Sequence, residues 1–291
     1  MSVALRPPDP AIVAADVARA LAEDIGSGDV TADLLPDVAA DAYVVCKQER
    51  AVIAGRPWFD ACFHALDADA AIVWNIEEGA HVGQGAVLCR LHGHSRALLS
   101  GERTALNFLQ SLSATATATA DFVAAVAGTR ATVLDTRKTL PGLRLAQKYA
   151  VRAGGGSNHR IGLYDAMMLK ENHIMAAGSL ESAMQRARAL HPGVPLIVEV
   201  ETLDEFDRAL ASRPQRILLD EFNASDLREA VRRSNGSVPL EVSGGVDLDS
   251  VRAIAETGVD CISIGALTKH VHAVDLSLRF GTPPEQIDAD A

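Results

Sequence analysis

The sequence predicts an α/β protein whose C-terminal half is a parallel barrel, and three observations predict it. From Gly128 onward, short apolar runs alternate with helical patterns, the grammar of repeated strand–helix–strand units. The runs lack apolar–polar alternation, as expected of strands covered on both faces. Almost every run ends in a charged or small polar residue. Polar groups gathered from many strand ends mark a barrel with its site at the C-terminal face, and decide against a doubly wound sheet. Six runs are present rather than eight, so the barrel is expected to be incomplete.

Taken in order, Ile12, Val13, Val17 and Leu21 recur at helical spacing behind Asp9 and Pro10, and predict a helix to about Glu23. The segment EDIGSGDVT then supplies turn residues. Between Asp41 and Gly93 the runs AYVVCK, AVIAG, AIVWNI and AVLCRL read as short strands, with a short helix at about Pro57–Leu66. EEGAHVGQGAVL resembles the edge of a lipoyl or biotinyl carrier but has no lysine at its hairpin tip. Leu98, Leu99, Leu106, Leu109 and Leu112 place a buried stripe on a long helix from about His94 to Ala127. The six barrel runs follow: Ala131–Asp135, Ala166–Lys170, Leu196–Val200, Arg216–Asp220, Pro239–Val242 and Cys261–Gly265.

Composition narrows the function. The 291 residues are 48% hydrophobic and 22% charged, which is globular rather than disordered. A formal net charge of −11 disfavours nucleic acid or an anionic membrane as partner, so a bound anion must be held by local cations. Cys46, Cys62, Cys89 and Cys261 form no CxxC pair and read as buried small hydrophobes in a reducing cytoplasm. Neither a signal peptide nor a transmembrane helix is expected.

One region is densely basic. Between Asp135 and His173 lie Arg137, Lys138, Arg144, Lys148, Arg152, His159, Arg160 and Lys170. Arg144, Lys148 and Arg152 fit a solvated helix face. Arg137, Lys138, His159, Arg160 and Lys170 fall at strand ends or beside the flexible Gly154-Gly155-Gly156, where they can converge on one small anion. Arginine grips carboxylate or phosphate bidentately and lysine acts as a point charge. Glu199 and Asp220 end two successive runs. They are either ion-pair partners for these cations or hard-oxygen ligands for a magnesium ion shared with a phosphorylated substrate, with Glu201 a weaker candidate. The glycines after the last two runs, at Ser243-Gly244-Gly245 and Gly265, suit a phosphate site. His92, His94, His270 and His272 lack a ligand set and read as surface or packing residues. Lys138 or Lys170 could alternatively be a Schiff-base lysine, its amine activated by cationic neighbours.

GERTALNFLQSLSATAT, DTRKTLPGLRLAQKYA, GGGSNHRIGLYDAMMLKENHI and EVSGGV, with EDIGSGDVT and SIGALTKHVHAVDLSLRF, resemble the quinolinate phosphoribosyltransferases in order over about Asp16 to Phe280. LKENH stands where Lys-Asp-Asn-His is expected, and Glu221 stands where Asn is expected. The resemblance implies an N-terminal α/β sandwich over residues 1–113, joined by a returning C-terminal helix over 270–291, and an open TIM-like catalytic barrel over 114–269. It implies a cytoplasmic homodimer, or a higher oligomer, in which Arg103 reaches the partner's active site. It implies that Arg103, Arg137, His159, Arg160 and Lys170 bind quinolinate. Thr136, Lys138, Glu199, Asp220, Ser243, Gly244, Gly245, Gly265, Ala266 and Leu267 would bind phosphoribosyl pyrophosphate. Glu199 and Asp220 would hold Mg2+, and Lys138, Lys170, Glu199 and Asp220 are the expected catalytic groups. A close relative acting on another pyridine, a barrel aldolase or isomerase, and a non-catalytic binding protein are the competing readings.

Overall fold

The computed structural model describes residues 5–283. In chain order the elements are α1 (Pro10–Ile25), β1 (Ala39–Cys46), β2 (Arg50–Val52), α2 (Arg56–Leu66), β3 (Ala71–Trp74), β4 (His81–Gly83), β5 (Val87–His94) and α3 (Ser95–Ala125). They continue as β6 (Thr132–Leu134), α4 (Arg144–Ala153), β7 (Met167–Leu169), α5 (Glu171–Ala177), α6 (Leu180–Leu190), β8 (Leu196–Val200) and α7 (Leu203–Ser212). The last are β9 (Arg216–Asp220), α8 (Ala224–Ser234), β10 (Leu240–Ser243), α9 (Val251–Ala255), β11 (Cys261–Ser263), α10 (Ala266–Lys269) and β12 (Leu276–Phe280).

Two compact units result. One comprises the chain up to Thr117, Pro141–Gly154 and the stretch from Val271; the other comprises Ala118–Leu140 and Gly155–His270. The first is built on an antiparallel sheet in the order β12-β1-β5-β3. Its helix α1 starts where Asp9 accepts the Ala11 N–H at 2.8 Å and Pro10 occupies the first turn. Trp58, Phe59 and Phe63 of α2 are fully buried, and the Trp58 indole donates to Asp16 on α1.

Two expectations fail here. The segment expected as a C-terminal helix forms strand β12 over Leu276–Phe280, antiparallel to β1 with Ala42 opposite Phe280. Leu276 and Leu278 are buried at alternate positions, a strand period that a helix could not satisfy. Residues 284–291 lie outside the described residues. Lys148 of α4 is not on a solvated face: it is 1% exposed, within a run from Ala146 to Val151 that is buried throughout. The dense basic region is therefore split, with α4 in the first unit and its flanks in the second.

The second unit carries six parallel strands in the order β6-β11-β10-β9-β8-β7. The order never reverses, as it would in a doubly wound sheet. It runs once around, from β7 to β11 and on to β6, and stays unpaired between β6 and β7. On the edge of β6 not taken by β11, Ser157 pairs in parallel with Leu134, its N–H donating to Val133 O at 2.9 Å. The seam is thus lined by the loop after α4. Residues in register on parallel neighbours project to one face. Glu199, Leu218 and Glu241 are such neighbours on β8, β9 and β10. That face also gathers Ala166, Ile197 and Leu218 in one apolar cluster, with Met168 against it. Polar side chains therefore share one face: Lys170, Glu199, Asp220 and Ser243 lie near the C-terminal ends of their own strands, and Arg216 and Glu241 nearer the N-terminal ends of theirs.

Candidate active site

Each strand of the second unit delivers a polar group near its C-terminal end. After β6, the Thr136 hydroxyl accepts the Lys138 N–H at 3.0 Å, and Lys138 O accepts the Thr268 hydroxyl at 2.8 Å. Lys138 lies across Gly265, where an added Cβ would meet Lys138 Cδ at 2.9 Å. The loops after the neighbouring strands β6 and β11 are therefore joined, and the glycine is what lets the lysine pass. After β9 and β10, Asp220 stands opposite Ser243 in register, and a Cβ at Gly244 would lie 3.0 Å from Asp220 Oδ1. Gly244 and Gly245 have φ of +98° and +58°, which non-glycine residues adopt at a cost.

Lys170 donates to both oxygens of Glu199, at 2.8 and 2.5 Å. Glu199 is 13% and Lys170 49% exposed at the side chain. Glu201 is more exposed, and its carboxyl is pushed up by desolvation and then by Glu171, Glu205, Asp220 and Glu199. Glu221 follows Asp220 with φ of +58°, the left-handed region that suits the asparagine expected there better than glutamate.

The loop over Ser157–Arg160 is anchored from below. Buried Asp135 accepts the His159 N–H at 2.8 Å and the Asn158 amide at 2.6 Å. The Arg160 guanidinium donates to Ala166 O at 3.2 Å. Its pKa is lowered, first by burial and then by the neighbouring charge of Arg137, against the opposing pull of Asp165, Glu199 and Glu241. His159, expected to bind a substrate carboxylate, is buried beside a carboxylate of the protein. Its Nδ1 accepts the Arg160 N–H at 2.6 Å, and its Nε2 lies 3.3 Å from Glu241 Oε1. Glu241 is fully buried and its Oε2 also takes Arg216 at 2.8 Å. Burial pushes the Glu241 carboxyl up, and His159, Arg216 and Ser263 more than offset that, so the net direction is down. A cavity of about 340 Å3 is lined by His159, Arg160, Asp165 and Arg216 among others.

The remaining expected site residues are placed less centrally. Arg103 is exposed on α3, in the first unit. The Leu267 side chain is fully buried, so only its backbone can face a ligand, and Ala266 opens the short α10. Glu241 was missed, because PLEV reads as an ordinary buried strand. The usable signal was a carboxylate inside an apolar run, which must be paired to be buried.

No cluster of three or more potential metal ligands exists among the described residues. Cys46, Cys62, Cys89 and Cys261 are all free thiols, and burial raises Cys62 to about 12. Among the described residues no helix is long and apolar enough to cross a membrane. His92 and His94 sit on Asp41 and Asp37 and are exposed.

Cations and carboxylates converging at the C-terminal ends of a parallel barrel define an enzyme that grips a small polyanion. The comparisons make the class specific. A family model described as quinolinate phosphoribosyl transferase, N-terminal domain, matches residues 29–113, and that of the C-terminal domain matches residues 115–279. A probable nicotinate-nucleotide pyrophosphorylase [carboxylating] of Bacillus subtilis is 39% identical, covering 91% of this chain and 92% of its own. The nicotinate-nucleotide pyrophosphorylase [carboxylating] of Mycobacterium leprae is 41% identical, covering 90% and 95%. The solved nicotinate-nucleotide pyrophosphorylase of Francisella tularensis superposes with a TM-score of 0.93 at 43% identity, over 97% of this chain and 100% of that one. The chain belongs to the quinolinate phosphoribosyltransferase family.

Proposed function

We propose that this chain transfers the phosphoribosyl group of phosphoribosyl pyrophosphate to quinolinate with loss of carbon dioxide, giving nicotinate mononucleotide for NAD biosynthesis. The observation that carries the reading is the Arg160 guanidinium, partly buried beside the charge of Arg137. Two clustered guanidiniums, with Asp165, Glu199 and Glu241 as the nearer counter-charges of Arg160, suit an anion with more than one negative group. A pyridine dicarboxylate is such an anion, and paired guanidiniums match its carboxylates bidentately. Lys170 extends the grip, and in the proposed homodimer Arg103 serves the partner's site. The proposed compartment is the cytoplasm.

Lys138, with Thr136, Ser243, Gly244, Gly245, Gly265 and the backbone of Ala266 and Leu267, receives the phosphoribosyl pyrophosphate. The donors Glu199 and Asp220 are hard carboxylate oxygens on adjacent strands, and the missing Cβ at Gly244 leaves space against Asp220. This set fits Mg2+, which needs only one or two carboxylates when it arrives with substrate phosphates. When bound, the ion neutralises charge on the departing pyrophosphate. The chain's own residues orient the reactants. With the dicarboxylate held by Arg137, Arg160 and Lys170, the ring nitrogen attacks ribose C1 as the C1–pyrophosphate bond breaks. The ring becomes a pyridinium, so the adjacent C2–carboxylate bond can break with its electron pair left at C2. Lys170 or Lys138 stabilises that pair electrostatically until a proton reaches C2.

The Schiff-base reading finds less support, because Lys170 is engaged by Glu199 rather than surrounded by cations. The test is to incubate the protein with phosphoribosyl pyrophosphate, Mg2+ and either quinolinate or nicotinate. Nicotinate mononucleotide and carbon dioxide from quinolinate, with nothing from nicotinate, is the expected result. Product from nicotinate alone, or from neither, overturns the reading.

A further inference from the structure

We infer that Glu241 is a positioning residue for the pyridine substrate: held by Arg216 at the barrel floor, it fixes the His159 ring, and through it the backbone that presents Arg160. The inference rests on the functional reading above, since Arg160 is there the substrate's partner.

The chain of contacts runs through two hydrogen bonds and, between them, a 3.3 Å contact that is not aligned as a hydrogen bond. Arg216 Nη1 meets Glu241 Oε2 at 2.8 Å, Glu241 Oε1 faces His159 Nε2 at 3.3 Å, and His159 Nδ1 accepts the Arg160 N–H at 2.6 Å. For Nδ1 to accept, the neutral ring must carry its proton on Nε2, the atom that faces Glu241. A carboxylate 3.3 Å from Nε2 favours this tautomer and ring orientation electrostatically, without an aligned hydrogen bond. Asp135 does the same for the main chain one atom away, by accepting the His159 N–H at 2.8 Å. Residue 159 is thus clamped on its ring and on its backbone. Only then does the next residue leave the loop in one direction, with its guanidinium on Ala166 O. Glu241 is fully buried, and neither it nor Arg216 belongs to the set expected at the phosphates or the metal.

A carboxylate that served only to neutralise Arg216 would, on removal, loosen the barrel generally and affect both substrates alike. A positioning carboxylate affects the substrate that Arg160 holds. Glu241→Gln keeps the size and removes the charge. The expected result is a roughly 10-fold rise in KM for quinolinate, the scale of losing an outer partner of a binding group. KM for phosphoribosyl pyrophosphate should change by less than about 2-fold, the scale of a site left unperturbed. Equal rises in both KM values, or no rise in either, overturn the inference. If Glu241→Gln melts below the assay temperature, Arg216→Lys decides by the same criterion. It keeps a cation opposite Glu241 but loses the fixed geometry of the guanidinium. A wild-type protein that makes no product from quinolinate defeats the functional reading itself, and this inference with it. An active wild type with an indifferent Glu241→Gln defeats the inference alone.

Discussion

The mouth and the floor of the barrel each hold a carboxylate paired to cations, and they differ in what it costs to separate them. At the mouth, Lys170 and Glu199 meet with the lysine half exposed. Such a pair is worth about 0–1 kcal/mol, so incoming phosphates, carboxylates or a metal can exchange for either partner cheaply. At the floor, Glu241 is wholly enclosed between Arg216 and His159. Removing the Glu241 carboxylate costs about 1–3 kcal/mol, because Arg216, 28% exposed at its side chain, loses its partner while only partly solvated. The apolar cluster of Ala166, Ile197, Leu218 and Met168 lies on the same sheet face, with Leu218 in register with both Glu199 and Glu241. One set of charges is built to be exchanged and the other to stay fixed.

Four substitutions bear on that contrast. Glu241→Ala should show the largest loss of stability, about 1–3 kcal/mol in urea unfolding; a loss below about 1 kcal/mol would make the floor no different from a surface pair. Arg160→Ala should lower kcat/KM for quinolinate by about 10²–10³-fold. Its melting temperature should hold or rise, since a partly desolvated cation beside Arg137 is removed, and a fall of many degrees would place Arg160 among the structural charges. Glu199→Gln should leave stability within about 1 kcal/mol. It should raise the phosphoribosyl pyrophosphate and Mg2+ concentrations needed for half-maximal rate by roughly 10-fold, and unchanged requirements would remove Glu199 from that site. Glu221→Asn should be the mildest change. Asparagine tolerates φ of +58° better than glutamate, and a gain of up to about 1 kcal/mol in chemical denaturation is expected.

Much of this was legible in the chain. The six parallel strands could be read because a strand buried on both faces is an uninterrupted apolar run. Their C-terminal ends could be read because charge stops each run abruptly. That rule alone puts Lys138, Lys170, Glu199 and Asp220 at or just beyond strand C-termini, where the structure also has them. What local pattern does not carry has a common origin in tertiary context. Lys148 looked solvated because its neighbours Arg144 and Arg152 share its charge, yet α4 buries it. His159 reads as one of a group of cations, and the carboxylate beside its ring lies eighty-two positions later in the chain, at Glu241. Only the pairing of β9, β10 and β11 brings Arg216, Glu241 and Ser263 into range, and no local pattern encodes it.

The loop pairing at the unclosed seam has a kinetic consequence. Ser157 meets Leu134 on the free edge of β6, and two residues further on the same loop presents His159 and Arg160. Opening the seam and dismantling the anion grip are therefore one event. It requires release of a few backbone bonds, rather than global unfolding. Amide hydrogens of Asp135 and Ser157, which bond across that seam, report its opening directly. Their exchange should run faster than that of β9 and β10 amides, and saturation with the dicarboxylate should slow it, because a ligand that binds only the closed form draws the opening equilibrium toward it.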